Sequence, residues 1–189
     1  PGEDPFDYPE IDENDNKPNE PINNDIYDEK KDPYLNPIKK YDFQNFYRTE
    51  FIKIKHGLLE MATGSGKTKT ALSIVSELLN KKLVNKIIIQ MEGTRLLEQW
   101  YKDEILPWKL SRKQNEPLRI LRQTHKFSSN DSENNEMDTF INAFKSKNRV
   151  DLLLIRKSNL PQLLSEISEF DLSKTIIIHD EVHDLFAEQ

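Results

Sequence analysis

Short, unbroken apolar runs alternate along the chain with stretches whose apolar residues recur every three or four positions. The runs are Ile87-Ile88-Ile89, Leu118 to Leu121, Val150 to Ile155 and Thr175 to Ile178, with a further strand expected at about Gly57 to Met61. Strands apolar on consecutive residues are buried on both faces, which predicts a mostly parallel β-sheet flanked by helices, an α/β fold. A helix is expected from Pro37, because proline suits a first turn and Ile38, Tyr41, Phe43, Phe46, Tyr47 and Phe51 share one face. Most of those rings read as core. After a glycine turn, Ala71, Leu72, Ile74, Val75, Leu78 and Leu79 mark a second helix, closed at Asn80-Lys81-Lys82 with cations at the negative end of its dipole. Further helices are expected at about Thr94 to Leu106, Met137 to Lys147 and Asn159 to Phe170, and SSNDSENNE at Ser128 to Glu136 reads as a surface loop. No internal repeat is visible.

Composition changes the picture at the N-terminus. Residues 1–35 hold 12 acids, three bases and six of the ten prolines, without apolar periodicity, so they read as an acidic, Pro/Asn-rich extended tail. Residues 36–189 then carry 21 acids and 24 bases, and the overall charge of −6 divides into −9 for the tail and +3 for the body. A mildly basic body permits nucleic-acid contact without demanding it. The tail's acid excess suits it to lie against that body, against a partner in a larger complex, or as a nucleic-acid mimic. The chain contains no cysteine, which excludes disulfides and thiolate zinc sites and suits a reducing interior. No apolar run approaches the roughly 18 residues of a membrane span and no signal peptide opens the sequence, so an intracellular protein of cytoplasm, nucleus or nucleoid, without a membrane partner, is expected.

The candidate chemistry begins at Glu60-Met61-Ala62-Thr63-Gly64-Ser65-Gly66-Lys67-Thr68, where a strand, a turn with two glycines and a helix are expected in succession. That order cradles nucleotide phosphates: glycines let successive N–H groups converge on them, and the helix adds its positive end. Thr63, Gly64, Ser65 and Gly66 would form the cradle, Lys67 would reach the β- and γ-phosphates of ATP, and the Thr68 hydroxyl would ligate Mg²⁺. The strict GxxxxGK[ST] pattern fails at Met61, where it wants glycine. Thr175-Ile176-Ile177-Ile178-His179-Asp180-Glu181 is a second buried strand, ending in two acids at the side of a parallel sheet that lines ligand crevices. Asp180 would hold the Mg²⁺ shell, and Glu181 would polarise the attacking water.

With these residues in place the chain resembles superfamily 2 helicases and translocases, over about residues 38–189. Asp180-Glu181-Val182-His183 is similar to their DExH box and Ala62 to Thr68 to their motif I. The resemblance implies a RecA-like P-loop domain, incomplete at its C-terminus, of a nucleic-acid-dependent ATPase that uses ATP and Mg²⁺. It also implies that Gln44 reads the adenine, that Thr94 and Arg95 of a motif Ia-like run grip the nucleic-acid backbone, and that His183 couples the ATP site to a partner domain. Thr94 can cap a helix, although Glu92 beside it would repel phosphate. Trp100 and Trp108 read as packing residues, and His179 as a core histidine or a hydrogen-bond partner inside the sheet.

Met61 and Leu96-Leu97-Glu98-Gln99-Trp100 are similar to the branch of restriction-enzyme motors and repair translocases, which favours DNA over RNA. The family's motif III, second RecA-like domain and arginine finger are expected beyond Gln189. Two other readings stand beside this one: a P-loop ATPase of another branch, such as a AAA+ machine, and a nucleotide-binding scaffold without turnover.

Overall fold

The computed structural model describes residues 32–37, 42–61, 64–112, 118–123, 136–146, 149–168 and 172–180. Helices α1 (Phe43–Ile54) and α2 (Lys67–Asn80) precede strand β1 (Lys86–Met91). One continuous helical rod follows: α3 (Gly93–Gln99), a widened π-helical stretch at Trp100–Ile105, and α4 (Leu106–Ser111). Then come β2 (Leu118–Arg122), α5 (Glu136–Lys145), β3 (Val150–Arg156), a 3₁₀ turn at Lys157–Asn159, α6 (Leu160–Ser165) and β4 (Thr175–His179).

The four strands are parallel and lie in the order β2-β3-β1-β4. Ile87 stands opposite Leu152 on one side and Ile176 on the other. The inner strand β1 is buried along its whole length and β3 over five consecutive residues, whereas the outer strands are partly open, as expected of a sheet covered on both faces. Alternate residues serve opposite cores. Ile87, Ile89, Met91, Leu152 and Leu154 pack with α2, Trp100, Ile105 and Trp108. Ile88, Leu153 and Ile155 pack with Met137, Phe140 and Phe144 of α5 and with Leu160 and Leu163 of α6. The result is an α/β sheet with helices on both faces, as the apolar runs predicted. Among the described residues no helix is long and apolar enough to cross a membrane.

At the opposite end of the sheet from the strand C-termini, Lys86 and Asp151 are buried side by side, Nζ to Oδ2 at 2.6 Å. Asp151 Oδ1 also accepts from Arg119 Nε at 2.7 Å and Arg149 Nε at 3.1 Å, and Lys86 Nζ donates to the carbonyls of Ser146 and Arg149. Every polar atom of that buried ammonium is thereby engaged.

The structure corrects several local expectations. Residues 57–61 form no strand: Leu58 is 54% exposed and only Leu59 packs against the core, because nothing among the described residues offers this segment a ladder partner. Only part of the aromatic face of α1 joins the core, where Phe51 packs against the main cluster. Phe43 and Phe46 are exposed, the latter at 62%, and the buried residue of the helix is Gln44. The rod after β1 runs beyond Leu106, with Pro107 in the first turn of α4, just past the π-helical stretch. Helix α6 stops at Ser165 rather than near Phe170, and the next two N–H groups, of Glu166 and Ile167, bond back three residues to the carbonyls of Leu163 and Leu164.

Asp32–Leu35, the end of the stretch read as an extended tail, form a turn that joins the body. Asp32 Oδ1 accepts the Tyr34 N–H at 2.8 Å, Arg48 Nη1 donates to the Leu35 carbonyl at 2.9 Å, and Tyr34 belongs to the core cluster. Residues 1–31, the first turn expected at Ile38 to Tyr41, and Ser128 to Asn135 lie outside the described residues.

Candidate nucleotide site

Two glycines shape the loop ahead of α2. Gly64 and Gly66 take φ values of +79° and +88°, the left-handed region that costs a side-chain-bearing residue free energy. Space is open where a Cβ on Gly64 would lie, which leaves backbone exposed to a ligand from that side. A Cβ on Gly66 would instead meet Gln44 Nε2 at 2.6 Å.

Gln44 is 3% exposed, and its Nε2 donates to the Ser65 carbonyl at 3.5 Å. The sequence placed this residue at the site, and the fold brings it onto the loop itself. The Lys67 side chain stands exposed at the start of α2, Thr68 is half-buried beside it, and the Gly66 carbonyl accepts from both Thr70 N and Thr70 Oγ1. The first N–H groups of such a helix have no intrahelical partner and point towards the loop. Thr63 lies outside the described residues.

Asp180 directly follows β4. Its N–H donates to the Gln90 carbonyl of β1 at 3.0 Å, extending the ladder by one bond. Its Oδ2 accepts from Trp100 Nε1 at 2.7 Å, while Oδ1 has no protein partner among the described residues. Sequence reasoning gave Trp100 a packing role, which it has, being 4% exposed within the core cluster; it missed the second role. Nothing in the sequence signals a contact between residues 80 positions apart.

His179 Nδ1 and Gln90 Oε1 are in hydrogen-bond contact. Parts of the His179 ring reach solvent, but burial of the remainder lowers its pKa. The residue is thus a hydrogen-bond partner at the end of the sheet rather than a core histidine. Glu181 and His183 lie outside the described residues, and Lys67 forms no ion pair with Asp180 among those described.

The start of α2 and the Trp100 stretch share an electrostatic neighbourhood. Lys69 Nζ sits 5.7 Å over the Tyr34 ring. Burial raises the pKa of Glu104, with Asp103 adding to the effect and Lys69 opposing it. Burial likewise raises the Tyr34 hydroxyl, with smaller contributions from Glu104 and Asp32. Lys69 is therefore felt at Glu104, one turn along the rod from the indole that holds Asp180.

Thr94 and Arg95 follow β1 at the same end of the sheet, and both side chains are exposed. Thr94 does not cap its helix. The helix begins at Gly93, with Glu92 in the cap position and no side-chain capping bond, because the φ of +73° at Gly93 lets the chain turn one residue earlier.

The residues present fit a nucleotide with Mg²⁺. The glycine loop leaves room for phosphate oxygens, and Thr68 and Asp180 offer the hard oxygen donors that Mg²⁺ takes together with phosphates and water. Among the described residues no three His, Cys, Asp or Glu side chains gather into a metal cage, and an ion carried by its nucleotide needs none.

Comparison with curated proteins and with solved structures found no match. A family model described as "Type III restriction enzyme, res subunit" matches residues 34–189, most of the chain. Its first residue, Tyr34, is also where the buried core begins. The chain therefore belongs to the type III restriction enzyme res subunit family, a superfamily 2 helicase-type family of RecA-like domains associated with ATP, Mg²⁺ and nucleic acid.

Proposed function

We propose that this chain is the ATP-binding motor domain of a DNA helicase or double-stranded DNA translocase of the DExH type. In the intact protein it hydrolyses ATP to ADP and phosphate. The reading gives the residues from Asp32 onward, whose turn joins the core, to the first RecA-like domain, the residues before it to an acidic appendage, and the companion RecA-like domain to sequence outside this chain. An intracellular setting fits a chain without cysteine.

The observation that carries the reading is the seating of Gln44 on the Ser65 carbonyl and against Gly66. A glycine turn between two elements needs no buried amide resting on it. A loop that must report its occupant to a neighbouring helix does. From that seat Gln44 has its amide against the loop, and in this reading it contacts the adenine.

Lys67 binds the β- and γ-phosphates, with Thr63, Gly64, Ser65 and Gly66 around them. Thr68 and Asp180 hold Mg²⁺, which when bound offsets the charge that develops on the phosphates. Glu181 orients and polarises water, and His183 transmits the state of the site to the companion domain. Thr94 and Arg95 contact the backbone of the nucleic acid, a role that supplies grip without sequence readout.

Three measurements on the intact protein test this. Duplex DNA should stimulate ATP hydrolysis, and an ATPase indifferent to DNA and RNA would contradict a translocase. Lys67→Ala should strip nucleotide affinity in a calorimetric titration. Glu181→Gln should retain ATP binding and lose turnover; unchanged turnover would remove Glu181 from its assigned role.

A further inference from the structure

Two indoles in this protein donate hydrogen bonds from inside the same core, and they differ in what they hold. Trp108 Nε1 donates to Ser76 Oγ at 2.9 Å, a neutral bond between buried elements. Trp100 Nε1 donates to Asp180 Oδ2 at 2.7 Å, a charge-assisted bond to the carboxylate that ends β4. The backbone at Asp180 is already fixed by its bond to the Gln90 carbonyl, so the remaining freedom of this residue is the rotation of its side chain. The indole removes that freedom. It is itself immobilised, 4% exposed among core residues, and it stands where the rod widens from α-helical to π-helical turns. Such widened turns occur often at functional sites.

We infer that Trp100 is a positioning residue for metal binding: by occupying Oδ2, it selects the Asp180 rotamer that turns Oδ1 towards the Mg²⁺ shell of a bound nucleotide. The inference rests on the metal role proposed above for Asp180. Phenylalanine at position 100 keeps the ring and most of the packing but has no N–H, so Asp180 becomes free to rotate. Loss of a group that orients a metal ligand typically weakens metal binding by 10- to 100-fold.

The test is calorimetric titration of the full chain with ADP at graded Mg²⁺ concentrations. Trp100→Phe should raise the Mg²⁺ concentration needed for half-maximal tightening about 10-fold, with ADP affinity in EDTA unchanged. A merely structural role would lower the unfolding midpoint and leave the Mg²⁺ dependence at the wild-type value, which would overturn the inference. Asp180→Asn separates the two claims. If it leaves the Mg²⁺ dependence intact, the metal role of Asp180 fails and the inference falls with it; if it abolishes the dependence while Trp100→Phe does not, the inference alone fails.

Should Trp100→Phe not fold, Trp108→Phe leaves Trp100 as the only indole in the chain. Mg²⁺ added to that ADP-bound variant should change the Trp100 emission saturably, and the change should vanish when Asp180→Asn is added. An emission indifferent to Mg²⁺ would overturn the inference.

Discussion

The Gln44 amide occupies the space that a side chain at position 66 would need, with Nε2 2.6 Å from an ideal Cβ there. Gly66 is therefore fixed twice, by its φ of +88° and by this neighbour. Gly66→Ala should destabilise the protein by about 1–2 kcal/mol from the left-handed backbone alone. It should also push Gln44 off the loop and weaken nucleotide binding. Urea unfolding and ADP titration of Gly66→Ala, with and without Gln44→Ala, check both parts. In the Gln44→Ala background the backbone cost should persist while the extra loss of ADP affinity caused by Gly66→Ala should shrink, and equal losses in both backgrounds would rule out the steric link.

Lys86 and Asp151 should behave as a unit. Each is almost fully buried, at 2% and 0% side-chain exposure, and Asp151 serves Arg119 and Arg149 as well. Asp151→Asn leaves a buried ammonium beside two guanidinium groups with no counter-charge, and Lys86→Met leaves the carboxylate without its closest donor. Asp151→Asn should cost about 3–5 kcal/mol, the usual range for removing one partner of a buried pair, and Lys86→Met less, because Arg119 and Arg149 still face the carboxylate. Denaturant unfolding would show it, and a cost below about 1 kcal/mol for Asp151→Asn would mean that solvent reaches the cluster.

The parts of the fold that could be read from sequence are those decided by local periodicity. Ile87-Ile88-Ile89 and Leu152-Leu153-Leu154 announce strands buried on both faces, and the structure pairs them in register. Lys67, Thr68 and Asp180 were expected beside a loop or a strand end, and the fold puts them at the start of α2 and just past β4. Gln44 was singled out through family resemblance, and its burial against Gly66 was not foreseen.

What could not be read depends on partners distant in the chain. A helical repeat shows that Phe43 and Phe46 share a face with other apolar residues, but not that Gln44 is the side chain α1 buries. Gly57 to Met61 has a strand-like composition, yet a strand exists only beside another, and none pairs with it among the described residues. No local pattern encodes the widening at Trp100–Ile105 or the indole bond to Asp180, 80 positions away.

Ser76 supplies the acceptor for Trp108 inside the core. The hydroxyl and the indole are both buried, at 0% exposure, and the bond between them spans from α2 to α4. Ser76→Ala removes little volume but leaves a buried N–H unsatisfied, so it should cost about 1–3 kcal/mol. Trp108→Phe in the Ser76→Ala background should then cost less than in wild type, since the orphaned donor goes with it. A thermal-unfolding cycle over the four proteins measures the coupling, and strictly additive effects would show that the bond contributes nothing to stability.

The last prediction concerns acidity and His179. Burial lowers the pKa of this imidazole below its ordinary 6.5, so between the folded value and 6.5 the unfolded chain binds a proton that the folded one does not. More protons on the unfolded state means that stability rises with pH across that window. Folding stability should therefore decline as pH falls from about 6.5 towards the folded pKa, and above 6.5 this residue should contribute no slope. Glutamine at position 179 keeps a hydrogen-bonding group for Gln90, which is buried at 2% exposure, but does not titrate. Urea unfolding of wild type and His179→Gln from pH 5 to pH 8 isolates the effect: the difference between the two curves should be flat above 6.5 and bend against the wild type below it. A difference that is flat throughout would mean that the imidazole is protonated as readily in the folded protein as in the unfolded chain, and one that bends the other way that it is protonated more readily.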